Sequence, residues 1–181
     1  MIKIDITDIQ QHIGQAIGLS KWLDINQSRV NKFAESTGDF QWVHVDEERA
    51  KTDLPTGRTI VHNFLLLSLI PQLFDQIVTI TGLKYGMNLG AENIKFYRPL
   101  TTGSKIRARL ELLKLDHKNQ THKKQNGQIA TFRITLEENG NDRPVLNMDL
   151  QLLFVAAQNN VKRTDTQSIS ADHHQPVAFG L

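Results

Sequence analysis

The sequence predicts an α+β protein in which one antiparallel sheet curls around a buried central helix. Three observations point there. Residues 60–70 (IVHNFLLLSLI) are apolar on nearly every face, so a helix in that stretch needs cover all round. Further along, the apolar period drops from helical to two. The joints between the alternating stretches are polar and read as hairpin connections. A chain of 181 residues suits one domain, read here as 1–157 followed by a polar C-terminal tail, 158–181.

Composition narrows the class. Hydrophobic residues make up 39% and charged residues 22%, ordinary for a globular protein. Twenty-one Lys and Arg against nineteen Asp and Glu leave +2, interspersed along the chain, which argues against a nucleic-acid surface. With no cysteine, disulfides, thiolate metal sites and a cysteine nucleophile are excluded. The first residues lack a signal-peptide layout and no stretch has the length of a membrane span, so the expectation is a cytoplasmic protein without membrane contact.

Ile2, Ile4 and Ile6 alternate as at the start of a strand. Asn26 offers a helix N-cap, Val30, Phe33, Ala34 and Thr37 share one helical face, and Gly38 is placed to end the helix. Asp46 caps a further turn or two, through Lys51, and Thr52 to Arg58 reads as a loop. Pro71 should kink the apolar helix, with Phe74, Ile77 and Val78 extending its spacing beyond. Strands follow over 94–97, 104–115, 129–137 and 145–155, with Leu146, Met148, Leu150, Leu152 and Phe154 the cleanest single face. The joints are 116–127 and 139–144. An apolar helix followed by long alternating strands is the hotdog arrangement. The last stretch, from residue 158, has no periodic apolar set, with a docked end expected only at 177–181.

Asp39, His44, His62 and Ser68 are the polar residues that need explaining. Five residues apart in a loop, Asp39 and His44 can converge on one water and move protons near neutral pH. Singly, each has an ordinary reading: Asp39 as a turn residue, His44 as a satisfied interior histidine. His62 can be a cap, and Ser68 can bond back to a helix carbonyl. At the helix start the amides of Asn63 and Phe64 lack intrahelical acceptors and suit an oxyanion, unless the Asn63 side chain caps one of them. Elsewhere the signals are weak. GLKYGMNLG (82–90) has no phosphate-loop pattern, and His117, His122, Lys123 and Lys124 read as a solvated hairpin tip. His173 and His174 have no third ligand at metal spacing. No metal or cofactor is expected.

Taken together, the blocks resemble the MaoC-like dehydratases and (R)-specific enoyl-CoA hydratases. FAESTGD (33–39) running into QWVHVD (41–46) is similar to the hydratase motif, an Asp followed five residues later by a His. GRTIVH (57–62) and the helix through Ser68-Leu69 resemble the second block, and YGMN (85–88) with IKFYRPL (94–100) the strand entry after it. Gln41-Trp42 in place of the commoner Asn-Pro resembles the nodulation-protein-N-like branch. The resemblance implies Asp39 and His44 as the catalytic pair, with Asn63, His62 and Ser68 at the oxyanion and substrate side. Asn63 stands where the family has Gly, so the amide is kept and a side chain is added. It further implies reversible hydration of a 2-enoyl thioester, carried on CoA or a carrier protein, to an (R)-3-hydroxyacyl thioester, by a homodimer. Two alternatives are a non-catalytic acyl-thioester-binding module and a hotdog thioesterase. The second would place a carboxylate on the central helix, and residues 62–74 contain none.

Overall fold

Period-two alternation builds the main layer. The computed structural model describes residues 1–118 and 127–157, with the side chains of residues 117 and 118 excepted. Six strands form a largely antiparallel sheet: β2 (Ala16–Leu19), β3 (Leu23–Ile25), β5 (Leu83–Phe96), β6 (Ser104–Lys118), β7 (Gly127–Glu138) and β8 (Leu146–Ala156). Their spatial order is β2-β6-β7-β8-β5, with β3 also on β6. Register sets Leu112 opposite Phe132, Leu110 opposite Ile134 and Ala108 opposite Leu136, so the apolar face continues across strands. Met148 lies opposite Ile134 on the next strand, and Leu152 opposite Ala130.

Two short helices lie on that face: α4 (Asn63–Ser68) and α5 (Ile70–Asp75). Leu65, Leu66, Ile70, Leu73 and Phe74 are buried there, and the Phe74 ring meets Phe132 edge-on at 5.1 Å. This is the hotdog arrangement. The helix is not buried all round, however: Asn63, Phe64 and Ser68 are exposed, Phe64 at 70%. Positions four apart share a helix face, and the face bearing Phe64 and Ser68 points away from the sheet. The break falls at Leu69. Pro71 has no N–H to offer the carbonyl four residues back and sits in the first turn of α5, where its fixed φ is tolerated.

Val78 is not helical. With Val78–Thr81 it forms β4, paired in parallel with β1 (Ile2–Asp5) as a separate two-stranded sheet. Two β-branched residues in β1, four in β4 and burial of Ile4, Val78 and Ile80 override the helical spacing.

The strand at the 82–90 stretch is longer than the sequence suggests. β5 bends at three register shifts, and Asn93 takes φ 54° there, its amide donating to the buried Asp149 at 2.7 Å. At the front, α1 (Gln27–Thr37) is capped as expected: Asn26 accepts from the Arg29 amide at 3.0 Å, and Gly38 turns left-handed at φ 76°. The turn α2 (Trp42–Val45) leads into α3 (Glu47–Asp53), capped by Asp46. The expected loop thus starts at Leu54, two residues later than its sequence bounds. The Asp116–Gly127 joint lies largely outside the described residues, although β6 and β7 bring Lys118 opposite Gly127. The tail, with His173 and His174, and the tip carrying His122, Lys123 and Lys124 also lie outside them, as does the side chain of His117.

Candidate active site

Asp39 follows the left-handed Gly38 that ends α1, and His44 lies on the single turn α2 just beyond. Because the backbone between them is irregular, the two side chains converge instead of radiating from one helix. One side-chain donor atom each from Asp39, His44 and His62 lies within 4.8 Å of the others.

The hydrogen bonds assign the tautomers. His44 Nδ1 lies 2.7 Å from the Ile60 carbonyl, an acceptor only, so Nδ1 donates and Nε2 keeps the lone pair in the neutral ring. His62 Nε2 lies 2.9 Å from the Asp39 backbone carbonyl and donates to it, 3.8 Å from the Asp39 carboxylate. The two imidazoles stack, centroids 3.8 Å apart and 27° from parallel. His62 is 2% exposed, and its Nδ1 is buried without a partner. It touches both members of the pair, one by stacking and one through its backbone.

The cluster does not form a three-donor metal cage. An imidazole holds a metal in its own ring plane, about 2 Å from the nitrogen. Two stacked planes this nearly parallel do not meet within that reach. Asp39 and His44 both line a cavity of about 510 Å³. Phe96, Tyr97, Arg98 and Pro99 also line it.

Asn63 borders the same cavity. It is the first residue of α4, with His62 in the cap position, so its side chain is not the cap. The amides of Asn63 and Phe64 have no acceptor among the described residues, as the start of a helix dictates.

The family pattern of the MaoC like domain matches residues 8–133, a span that holds every one of these groups. The chain belongs to the MaoC-like dehydratase family. It is 36% identical over 152 residues to 3-hydroxyacyl-thioester dehydratase Z of Mycobacterium tuberculosis, covering 83% of this chain and 96% of that protein. It is 33% identical over 147 residues to nodulation protein N of Rhizobium leguminosarum bv. viciae, covering 81% and 88%. Among solved structures, the (R)-hydratase from A. caviae involved in PHA biosynthesis is similar with a TM-score of 0.59 at 25% identity, over 77% of this chain and 94% of that one.

Within this MaoC-like domain, four of the five residues singled out from the sequence border one cavity. Ser68 does not. It is exposed, and its hydroxyl donates back to the Phe64 carbonyl at 2.8 Å, the local alternative open to a mid-helix serine. Arg98 is held by Glu138 at 2.6 Å and by the Arg143 carbonyl. The Trp42 ring carries the Arg49 guanidinium at 3.9 Å.

Three polar residues that sequence reasoning passed over reach the site from behind. Gln27 donates to the His44 carbonyl at 2.7 Å, Thr59 donates to Gln27, and the Thr59 and Thr102 hydroxyls are 2.9 Å apart. They lie 17 to 43 residues from their partners, and no local pattern signals such pairings. Among the described residues no helix is long and apolar enough to cross a membrane.

Proposed function

We propose that this MaoC-like protein reversibly hydrates a trans-2-enoyl thioester to the (R)-3-hydroxyacyl thioester. The observation that carries the reading is the Asp39–His44 pair on a cavity whose edge also presents unpaired helix-start amides. Water is held between the carboxylate and the His44 ring. His44 Nε2 takes its proton as the oxygen bonds to C3, and the C2–C3 double bond shifts its electrons toward the thioester carbonyl. The developing enolate oxygen accepts a hydrogen bond from the Asn63 amide. The proton removed from water returns to C2 through the pair, with Asp39 orienting the water and assisting that transfer. Dehydration runs the same steps backward. His62 fixes the geometry by its stack on His44 and its bond to the Asp39 backbone. The dehydratase and (R)-hydratase names of the relatives support the reaction class and its stereochemistry.

The acyl group is that of a CoA or carrier-protein thioester, and the working unit is a homodimer. β5 is an edge strand with no partner on one side among the described residues, and Met87, Leu89 and Ile94 on it are exposed. A long apolar edge of this kind needs cover, which a second copy supplies. Against a thioesterase, α4 carries no carboxylate, and the carboxylate on the cavity is Asp39. A thioester-binding protein without turnover is favoured by one observation, the Asn63 side chain on the cavity where the family has Gly.

The test follows loss of the conjugated-thioester absorbance of crotonyl-CoA with purified protein, together with chiral analysis of the product. Formation of the (R)-3-hydroxy thioester, absent in Asp39→Asn, is the expected result. Saturable binding of crotonyl-CoA and of longer enoyl-CoAs without turnover would overturn the hydratase reading in favour of the binding protein.

A further inference from the structure

His44 stands on a helix of a single turn, which cannot hold a side chain rigidly by its own hydrogen bonds. A turn that short leaves its last carbonyls without helical donors, and the His44 carbonyl is one of them. Gln27, the first residue of α1, supplies the donor at 2.7 Å. Its other amide N–H goes to Asn31 at 2.8 Å, and its oxygen accepts from Thr59. Both donors and the acceptor of the amide are therefore used. Turning it over would set its oxygen against the His44 carbonyl, so only one orientation fits.

Thr59 is 1% exposed, and with its O–H committed to Gln27 the Thr102 hydroxyl donates to it. The next residue along from Thr59 completes the hold. Ile60 donates its amide to the Val43 carbonyl at 2.9 Å and accepts the His44 ring N–H on its own carbonyl at 2.7 Å. The 59–61 segment is itself pinned to the 100–102 loop by Val61 N–H to Leu100 at 2.7 Å and Thr102 N–H to Thr59 at 3.0 Å. Backbone and ring of His44 are thus fixed from one segment, and Gln27 ties that segment to the His44 backbone.

We propose that Gln27, backed by Thr59 and Thr102, is a positioning residue: it sets the height of the His44 turn so that the ring meets the Ile60 carbonyl and presents Nε2 to the water. Gln27 touches no reacting atom. The inference rests on the reading of His44 as the base, and it extends that reading to Gln27 and Thr102, outside both family blocks, and to Thr59 within the second.

The experiment pairs kinetics with a probe that needs no substrate. In Gln27→Leu, kcat for crotonyl-CoA falls roughly 10- to 100-fold while KM stays within about twofold, as displacement of a catalytic group predicts. Gln27→Glu, whose carboxylate repels the His44 carbonyl, falls at least as far. Thr59→Val shows the same split, and Thr59→Ser, which keeps the hydroxyl, recovers most of the rate. In parallel, histidine ¹⁵N spectra of the free protein report the ring tautomers, the His44 signals being assigned by their loss in His44→Gln. Wild type shows the Nδ1–H form for His44, and Gln27→Leu shifts it toward a mixture in a protein that is still folded by circular dichroism. Unchanged kcat with unchanged His44 signals overturns the proposal, as does an equal loss in Thr59→Ser and Thr59→Val. If wild-type protein hydrates no enoyl thioester, the hydratase reading fails. The spectra then still decide whether Gln27 places His44: moved signals support the placement and unmoved ones reject it.

Discussion

In the proposed hydration Asp39 and His44 divide the work by geometry. One has its carboxylate half in solvent, and the other has its ring anchored at Nδ1 so that Nε2 faces the reaction. Removing either group while keeping its shape isolates the chemistry. Asp39→Asn and His44→Gln should each lower kcat by about 10² to 10⁴-fold, with unchanged thermal unfolding. Near-normal turnover in both would sink the assignment. Asn63 lines the same cavity with its side chain. Asn63→Gly keeps the amide donor and removes a side chain from the cavity, so kcat/KM for longer 2-enoyl thioesters should rise relative to that for crotonyl-CoA. Steady-state rates over a chain-length series check this, and a flat ratio would mean that the Asn63 side chain does not limit access.

At the scale of elements, the α4–α5 pair and the sheet stabilise each other by apolar contact. Leu66 is fully buried, and Leu66→Ala should cost about 2–5 kcal/mol, read from chemical denaturation. Ser68→Ala, on the exposed face, should stay within about 0.5 kcal/mol. On the outer face of the sheet, Arg107 and Arg109 converge on Glu137, at 2.8 and 2.6 Å. Burial pushes the Glu137 carboxyl up, but hydrogen bonds and charge from the two guanidinia outweigh it and hold it below the ordinary value of 4.5. The folded state therefore binds fewer protons than the unfolded one. The stabilisation is fully present above the ordinary value and is lost as pH falls through the folded one. Thermal melts over that acidic range should fall less steeply for Glu137→Gln than for wild type. Parallel slopes would show that the cluster contributes nothing.

At the scale of the whole molecule, the exposed edge of β5 and the exposed face of α4 leave a single chain with uncovered apolar surface. Sedimentation should give a particle of twice the 20.6 kDa chain mass, and Met87→Lys with Leu89→Lys should dissociate it. A monomeric wild type would require another way of covering that edge.

Much of this was legible along the chain because the signals are local. Alternation over 104–115, 129–137 and 145–155 settles the strands and the buried face. Asn26, Gly38 and Asp46 mark helix ends through bonds spanning three or four residues. Asp39 and His44 were singled out by a spacing that lets them converge and by the family resemblance, and the structure places both on one cavity. What sequence periodicity missed depends on distant partners. Val78 to Thr81 became a strand because β1, more than seventy residues earlier, was there to pair with it. The helix was exposed on the Phe64 side because the sheet covers one side of it. Ring tautomers, the stacking of His62 on His44 and the hydrogen bond of Gln27 to the His44 turn arise between segments 16 to 43 residues apart. A hydrogen bond needs its donor and acceptor brought within about 3 Å, and only packing of the whole chain does that.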